Sequence, residues 1–228
     1  SQCIFLVIRR PPKFTLFPYT TLFRSREWCD RKGALLVFDE TQTALGRTGH
    51  RFASGPSGVV PDLMVLGESL GGGLFPIAAT VFTQRVNAFL NRHPMIHLST
   101  FGGSDVGCRV GREMLALCLR LAPWDLAAAN GTLLESGLRD VAAAHPDVLK
   151  GVRGAGMAWA LHAGSERAAH ALCRNLAAHG VVAMPGLVRR DAVLLRPSLL
   201  AGPDEIGFLL AAVEAAIAGT GNGPEARG

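Results

Sequence analysis

Continuous apolar runs alternate with polar breaks along most of the chain. Three mainly hydrophobic runs cover residues 34–38, 62–66 and 76–82, and each is followed by a polar residue or a glycine. A short apolar run bounded by turn residues is typical of a strand buried in a parallel sheet. We therefore predict three such strands, the first ending at Asp39 and the second at Gly67.

Helical periodicity surrounds these runs. The end of a helix is predicted over residues 26–32, stopped by Gly33, because glycine readily ends a helix. A second helix, capped by Ser104, is predicted to run to about residue 121. The alanine-rich segment 125–144 has high helix propensity and predicts a third helix.

The second half of the chain alternates shorter strands and helices. The predicted elements are a strand over 152–162, a helix over 165–179, strands over 181–184 and 192–196, and a helix over 202–218. The polar, glycine-rich segment 220–228 is predicted to be a flexible tail. The fold class is therefore α/β, with part of a large α/β domain over 26–120 and a smaller α+β domain over 121–219.

The first 25 residues do not share this periodicity. They contain Pro11, Pro12 and Pro18 and follow neither helical nor strand spacing. The stretch 14–25 also resembles translated adapter sequence. We interpret residues 1–25 as a non-native segment, with a divergent N-terminal arm as the alternative.

Composition narrows the class of protein. With 228 residues, 49% hydrophobic and 18% charged, the chain can bury a core without disulfides and is too apolar for disorder. The five cysteines form no CxxC pair, which argues against a metal site and favours a reducing, cytoplasmic compartment. The net charge is +5, but the arginines are mostly single and only one tyrosine is present, so no nucleic-acid partner is expected. No apolar run approaches the ~20 residues of a membrane span.

Polar and glycine residues after the predicted strands are the candidate functional positions. Ligands of open α/β sheets bind outside the carboxyl ends of the strands. Asp39 at such an end needs a cationic partner or structural hydrogen bonds. The glycines at 71–73 permit close approach of a ligand or a tight turn. Segment 97–104 leads into a helix and suits either a phosphate or an ordinary capped loop.

Together and in this order, these segments resemble the class III, fold-type I, pyridoxal-phosphate (PLP)-dependent aminotransferases, the family of ornithine, acetylornithine and other ω-amino-acid aminotransferases. The matching segments are LLVFDETQTALGRTG (35–49), PDLMVLGESLGGGLFPI (61–77) and STFGGS (99–104), with weaker matches at VRGAG (152–156), LRPSL (195–199) and DEI (204–206). The resemblance covers residues 26–219. It implies an incomplete, mostly parallel large PLP-binding domain followed by a small domain.

The resemblance also implies roles for individual residues. Asp39 would pair with the protonated pyridine nitrogen of PLP, and Gln42 would hydrogen-bond its phenolic oxygen. Ser99 and Thr100 match the segment that reaches the cofactor phosphate of the neighbouring subunit, which implies a homodimer. Arg196 lies near where the family holds a substrate carboxylate, with a structural ion pair as the alternative. The implied reaction transfers an amino group from an ω-amino or diamino compound to a 2-oxo acid.

Glu68 stands where the family has the lysine that forms a Schiff base with PLP and moves the substrate proton. A carboxylate cannot form an imine. The three lysines of the chain, Lys13, Lys32 and Lys150, lie outside the matching motifs. We therefore expect no intact catalytic residue.

Two origins of Glu68 stay open at this point: a genuine change or an error in the sequence. A genuine change would make the chain a non-catalytic homologue, which binds pyridoxamine phosphate or serves as a structural dimer partner. An aminomutase or racemase of the same fold is a further alternative.

Family members are much longer than this chain. The resemblance implies that a complete member carries, before Arg26, an N-terminal segment, a phosphate-binding turn, a ring-stacking aromatic and the first strands of the sheet. We interpret the chain as a C-terminal fragment and expect that it does not hold the cofactor alone.

Overall fold

The structure is a computed structural model that describes residues 19–96 and 98–219. The described chain divides into two compact units. The first contains the residues up to Leu45 and those from His50 to Ala122, and the second contains Gly46–Gly49 and the residues from Pro123 onward.

The described part of the first unit contains three α-helices and a three-stranded sheet, besides short 3-10 turns. Its elements are α1 (Tyr19–Lys32), β1 (Val37–Asp39), β2 (Leu63–Leu66), β3 (Ala79–Phe82), α2 (Gln84–Arg92) and α3 (Asp105–Leu121). The strand order is β1-β2-β3. Strands β1 and β2 are parallel, with Asp39 opposite Val65, so their carboxyl ends lie at one edge of the sheet. This confirms the first two predicted strands, within shorter bounds.

The third predicted strand differs from expectation in direction and burial. β3 runs antiparallel to β2, with Leu63 opposite Phe82, and its side chains are largely exposed, Val81 by 56%. Only residues 67–78 connect the two strands, and they contain a 3-10 turn rather than a crossover helix. A parallel return usually needs a helix in the connection, whereas an antiparallel return needs only a loop.

The prediction that residues up to 25 lack helical structure is wrong for 19–25, which belong to α1. Leu22, Ser25 and Cys29 are buried at i, i+3 and i+7 on one face of α1. Leu22 and Cys29 pack with Leu36 and other core residues. Ser25 interrupts the apolar periodicity, and its hydroxyl donates to the Thr21 carbonyl at 2.8 Å. Tertiary packing therefore supports a helix that the hydrophobic pattern does not display.

The second unit packs three helices against a four-stranded antiparallel sheet. Its elements are α4 (Pro123–Ala144), β4 (Gly151–Ala155), β5 (Ala158–His162), α5 (Glu166–Ala178), β6 (Met184–Pro185), β7 (Ala192–Leu195) and α6 (Pro203–Ala218). The strand order is β4-β5-β7-β6. Alternate residues of β5 and β7 enter the core together with residues from all three helices: Trp159, Leu161, Val193, Leu195, Leu134, Leu138, Leu172, Leu176, Val213 and Ile217.

The single strand predicted over 152–162 is instead a hairpin. Ala155 lies opposite Ala158, and Gly156 between them has a φ of +53°. A two-residue turn that starts with glycine matches the twist of antiparallel strands. The segment 181–184 is also shorter as a strand than expected, since β6 is only Met184–Pro185.

No helix in the described part of the chain is long and apolar enough to cross a membrane.

Candidate functional site

The carboxyl ends of β1 and β2 form the edge at which the candidate residues meet. Asp39 is the last residue of β1, and Gly67 and Glu68 directly follow β2. Gly67 is buried, and a Cβ on it would lie 3.2 Å from the Cβ and Cγ2 of Thr41. This close approach brings the segment after β1 against the segment after β2.

Asp39 presents an exposed carboxylate at this edge. Its Oδ1 accepts hydrogen bonds from the Thr41 backbone amide at 3.0 Å and from the Thr41 hydroxyl at 2.7 Å. Within the described chain the hydrogen bonds to Asp39 all reach Oδ1. Thr41 therefore fixes the orientation of the carboxylate and leaves Oδ2 able to accept a hydrogen bond from a ligand.

Gln42 and Glu68 are brought together because they follow neighbouring parallel strands. Gln42 Nε2 donates a hydrogen bond to Glu68 Oε1. Glu68 is exposed and begins the 3-10 turn Glu68–Gly71, which Gly72 ends with a φ of +63°. The group beside the Gln42 side chain is therefore a carboxylate. It accepts hydrogen bonds, but it has no amine that could act as a nucleophile.

Glu40 is a structural residue of this edge that the sequence analysis did not identify. It is 3% exposed and accepts hydrogen bonds from the backbone amides of Ala53 at 3.0 Å and Ser54 at 2.9 Å. The Thr43 hydroxyl also donates to it. The sequence signal for Glu40 was its position one residue after Asp39. Successive side chains of a strand point to opposite faces, so an exposed Asp39 predicts a Glu40 that points into the protein.

Asp62 anchors the start of β2 and was likewise not identified. Its Oδ2 accepts hydrogen bonds from the Leu36 amide and from Arg26 Nη1, both at 2.8 Å. Burial on its own raises the pKa of Asp62, but these two donors outweigh burial and the pKa is lowered overall. The Asp62 carboxylate thus connects three parts of the unit: helix α1, the segment that precedes β1, and the start of β2.

The predicted phosphate-binding pair lies elsewhere in the first unit. Ser99 and Thr100 are exposed in the segment before α3, and the Ser99 Oγ accepts a hydrogen bond from the Gly102 amide at 2.8 Å. Within the described residues, neither hydrogen-bonds to Asp39, Gln42 or Glu68.

Arg196 belongs to the second unit and directly follows β7. It is exposed and lines a shallow pocket of about 200 Å³. The other lining residues are Gly180, Val181, Val182, Leu195, Pro197, Phe208 and Leu209. A guanidinium among otherwise non-polar lining residues can pair with a carboxylate.

Comparison with known proteins shows what the chain is similar to. The sequence model of the family Aminotransferase class-III matches residues 16–217. The putrescine aminotransferase of Pectobacterium atrosepticum is 35% identical over 174 residues, which are 76% of this chain and 37% of that protein.

Two solved structures also superpose on the chain, each with a TM-score of 0.80 at 29% identity over 88% of this chain. They are an amine transaminase from an uncultivated Pseudomonas species in its PLP-bound form and the ornithine aminotransferase of Toxoplasma gondii. This chain covers 48% and 47% of them, so it spans less than half of each of these three relatives.

These matches confirm the fold class, a part of the PLP-dependent transferase fold. They also correct one expectation, because the family match begins at residue 16. Residues 16–25 therefore lie within the span of the family, whereas the segment 1–15 lies outside both the match and the described residues.

Proposed function

Because the chain belongs to the class III aminotransferases, we propose that it is the C-terminal part of a PLP-dependent aminotransferase subunit. It would contribute the strand-end residues of the cofactor site and the residue that holds a substrate carboxylate. We also propose that Glu68 prevents this chain, as its sequence stands, from attaching the cofactor covalently.

The residues after β1 fit part of the cofactor. PLP, when bound, supplies an electron sink for the substrate carbon that loses a proton, provided that its ring nitrogen stays protonated. Asp39, exposed and oriented by Thr41, suits that nitrogen because its Oδ2 can accept a hydrogen bond. Gln42, three residues after Asp39 in the same motif, carries an amide group that would donate to the phenolic oxygen of the ring.

Position 68 does not fit covalent attachment of the cofactor. Glu68 has no amine, and the two described lysines lie elsewhere: Lys32 ends α1 and Lys150 precedes β4. The Nζ of Lys150 donates hydrogen bonds to the carbonyls of Pro146 and Asp147. The contact between Gln42 and Glu68 is the observation that supports the proposal, because it puts the Glu68 carboxylate beside a residue to which the proposal gives a role on the cofactor ring.

Replacement of Glu68 tests this part of the proposal. With added PLP, Glu68→Lys is expected to develop the visible absorption of a lysine–PLP imine above the level of the unchanged chain. Glu68→Gln removes the same charge without supplying an amine and is expected to stay at the unchanged level. Equal spectra for all three proteins would contradict the proposal.

The proposed substrates are an ω-amino or diamino compound as donor and a 2-oxo acid as acceptor. The relative from Pectobacterium atrosepticum carries the name of a diamine, putrescine, and the Toxoplasma gondii structure that of ornithine. Arg196 would hold the carboxylate of the acceptor, which its exposure beside the pocket permits.

We further propose that the complete protein is a cytoplasmic homodimer. Ser99 and Thr100 are exposed, as residues that reach the cofactor phosphate of a second subunit must be. The four described cysteines, Cys29, Cys108, Cys118 and Cys173, are free thiols, which suits a reducing compartment.

A second candidate function is that of a non-catalytic homologue that binds pyridoxamine phosphate or acts as a structural dimer partner. The carboxylate of Glu68 favours it, because an anion at this position attracts the ammonium group of the amine form. Tighter binding of pyridoxamine phosphate than of PLP, lost in Glu68→Gln, would favour this candidate. Equal affinities would exclude selective binding of the amine form.

A further inference from the structure

Gly46–Gly49, the last four residues of the first family motif, belong to the second unit. The Met157 amide donates to the Arg47 carbonyl at 2.9 Å. In the opposite direction, Arg47 Nη1 donates to the Met157 carbonyl at 3.1 Å and to the Pro197 carbonyl at 2.5 Å. Arg47 thus joins the turn between β4 and β5 to the segment after β7.

Close glycine packing fixes the backbone from which Arg47 extends. A Cβ on Gly156 would lie 2.5 Å from the Gly49 nitrogen, and a Cβ on Gly131 would lie 2.6 Å from the Gly156 Cα. Real Cβ atoms do not approach so closely, so positions 156 and 131 need glycine or a shifted backbone. The guanidinium of Arg47 therefore starts from a backbone held against α4 and the hairpin.

The Pro197 carbonyl lies one residue beyond Arg196. Residues 195–197 line the pocket at which the Arg196 side chain is exposed. A charged donor on a backbone carbonyl makes a stronger hydrogen bond than a neutral donor. Because the bond acts on the backbone next to Arg196, it limits how far that residue can move when the pocket is empty.

We propose that Arg47 is a positioning residue for Arg196: it fixes the segment after β7 so that the Arg196 guanidinium is preorganised for a substrate carboxylate. This inference rests on the proposed substrate role of Arg196. Arginine is suited to this task because its rigid, planar guanidinium can donate to two carbonyls from different segments, whereas a lysine ammonium on a flexible stem is held less firmly.

Binding of a dicarboxylate to the purified chain tests the proposal, with glutarate as the probe and calorimetry as the measurement. Arg47→Gln is expected to weaken glutarate binding about tenfold because a preorganising contact is lost. Arg47→Lys is expected to fall between that variant and the unchanged chain. Hydrogen exchange of the amides at 196 and 198–200 is expected to be faster in Arg47→Gln.

Asn130→Ala is the matched control. Asn130 Nδ2 donates to the Ala201 carbonyl at 2.9 Å, so it holds the far end of the same segment, away from Arg196. A merely stabilising role of Arg47 would give both variants a similar loss of stability with unchanged glutarate affinity. Positioning instead predicts that only the Arg47 variants lose affinity.

The outcomes separate the inference from the function on which it rests. Unchanged glutarate affinity in folded Arg47→Gln would overturn the inference while Arg196 keeps its role. If Arg47→Gln does not fold, Arg47→Lys decides, and wild-type affinity in that variant would overturn the inference. Unchanged binding in Arg196→Gln, or no binding to the unchanged chain, would remove the substrate role of Arg196 and the inference with it.

Discussion

Gln42 Nε2 donates a hydrogen bond to Glu68 Oε1 across the carboxyl ends of β1 and β2. The two residues come from different motifs and meet because parallel strands place their carboxyl ends at one edge. Under the proposed function, Asp39 and Gln42 would hold the ring of PLP at this edge, and Glu68 would stand at the position from which the family attaches the cofactor. The proposal therefore predicts that non-covalent recognition and covalent attachment are separable in this chain.

Introducing a second carboxylate beside Glu68 is expected to destabilise the edge. Gln42→Glu replaces a donor with a like charge, and because the site is exposed the loss should not exceed about 1 kcal/mol. Urea unfolding at low and high salt measures it, with the larger loss at low salt. Gln84→Glu adds the same charge at the first position of α2, where the helix dipole favours it, and is expected to cost nothing. Equal effects of the two variants would contradict the contact.

Loss of the Asp62 carboxylate is expected to destabilise the first unit strongly. Asp62→Ala leaves the Leu36 amide without its acceptor and Arg26 without its buried partner, at a cost of about 3 kcal/mol in urea unfolding. Asp30→Ala is the control, because Asp30 also pairs with Arg26 at 2.6 Å but its side chain is 60% exposed. That variant is expected to lose less than about 0.5 kcal/mol. A similar loss in both would show that burial of Asp62 is not decisive.

Acidification is expected to destabilise the second unit through His162. Burial lowers the pKa of His162, as do Arg189 and Arg153, while Asp191, 4.0 Å from Nδ1, opposes them. His162 therefore binds a proton more readily in the unfolded chain than in the folded chain. The contribution of neutral His162 to stability is complete above the pKa of this histidine in the unfolded chain, and it is lost as the pH drops from about 7 to about 5.

His162→Gln is expected to flatten this part of the dependence of the urea midpoint on pH. His170→Gln, on the half-exposed side of α5, is the matched control and should leave the dependence in place. A pH dependence that survives His162→Gln unchanged would exclude His162 as its cause.

Adding a methyl group at Gly156 is expected to disrupt the second unit. The new Cβ would lie 2.5 Å from the Gly49 nitrogen, and Gly156 already has a positive φ. Gly180→Ala measures the cost of a positive φ alone. Gly180 has a φ of +80°, but a Cβ on it would lie 3.4 Å from its nearest neighbour, the Cζ of Phe208. The control is expected to lose about 1–2 kcal/mol, and Gly156→Ala at least twice as much, in thermal or urea unfolding. Equal losses would show that the close approach can relax.

The sequence was sufficient to predict the parallel strands and the residues at their ends. Apolar runs that end in polar residues determine β1 and β2, and their parallel pairing brings Gln42 to Glu68. Where burial and periodicity disagree, prediction fails, as it does for α1, which buries Ser25 within its apolar face. In the segment 152–162, no polar turn residue or proline marks the turn at Gly156, so the hairpin reads as one strand. The direction of β3 depended on the length of a connection rather than on the composition of the strand.

The role of Arg47 could not be predicted from local pattern. Its two acceptors are the carbonyls of Met157 and Pro197, which lie 110 and 150 residues further along the chain. Backbone carbonyls are present at every residue, so no sequence signal marks them as acceptors. Only the fold shows that the end of the first motif belongs with the second unit.

Borohydride reduction of the native chain with added PLP, followed by peptide mapping, tests the absence of a covalent cofactor residue most directly. Reduction traps imines even when they form transiently, so the test does not require tight retention of PLP. The urea-unfolded chain gives the background labelling of each lysine. Lys32 and Lys150 are expected to be labelled no more in the native chain than in the unfolded one, and native Glu68→Lys is expected to gain an adduct at position 68. A stoichiometric adduct on a lysine of the unchanged native chain would contradict it.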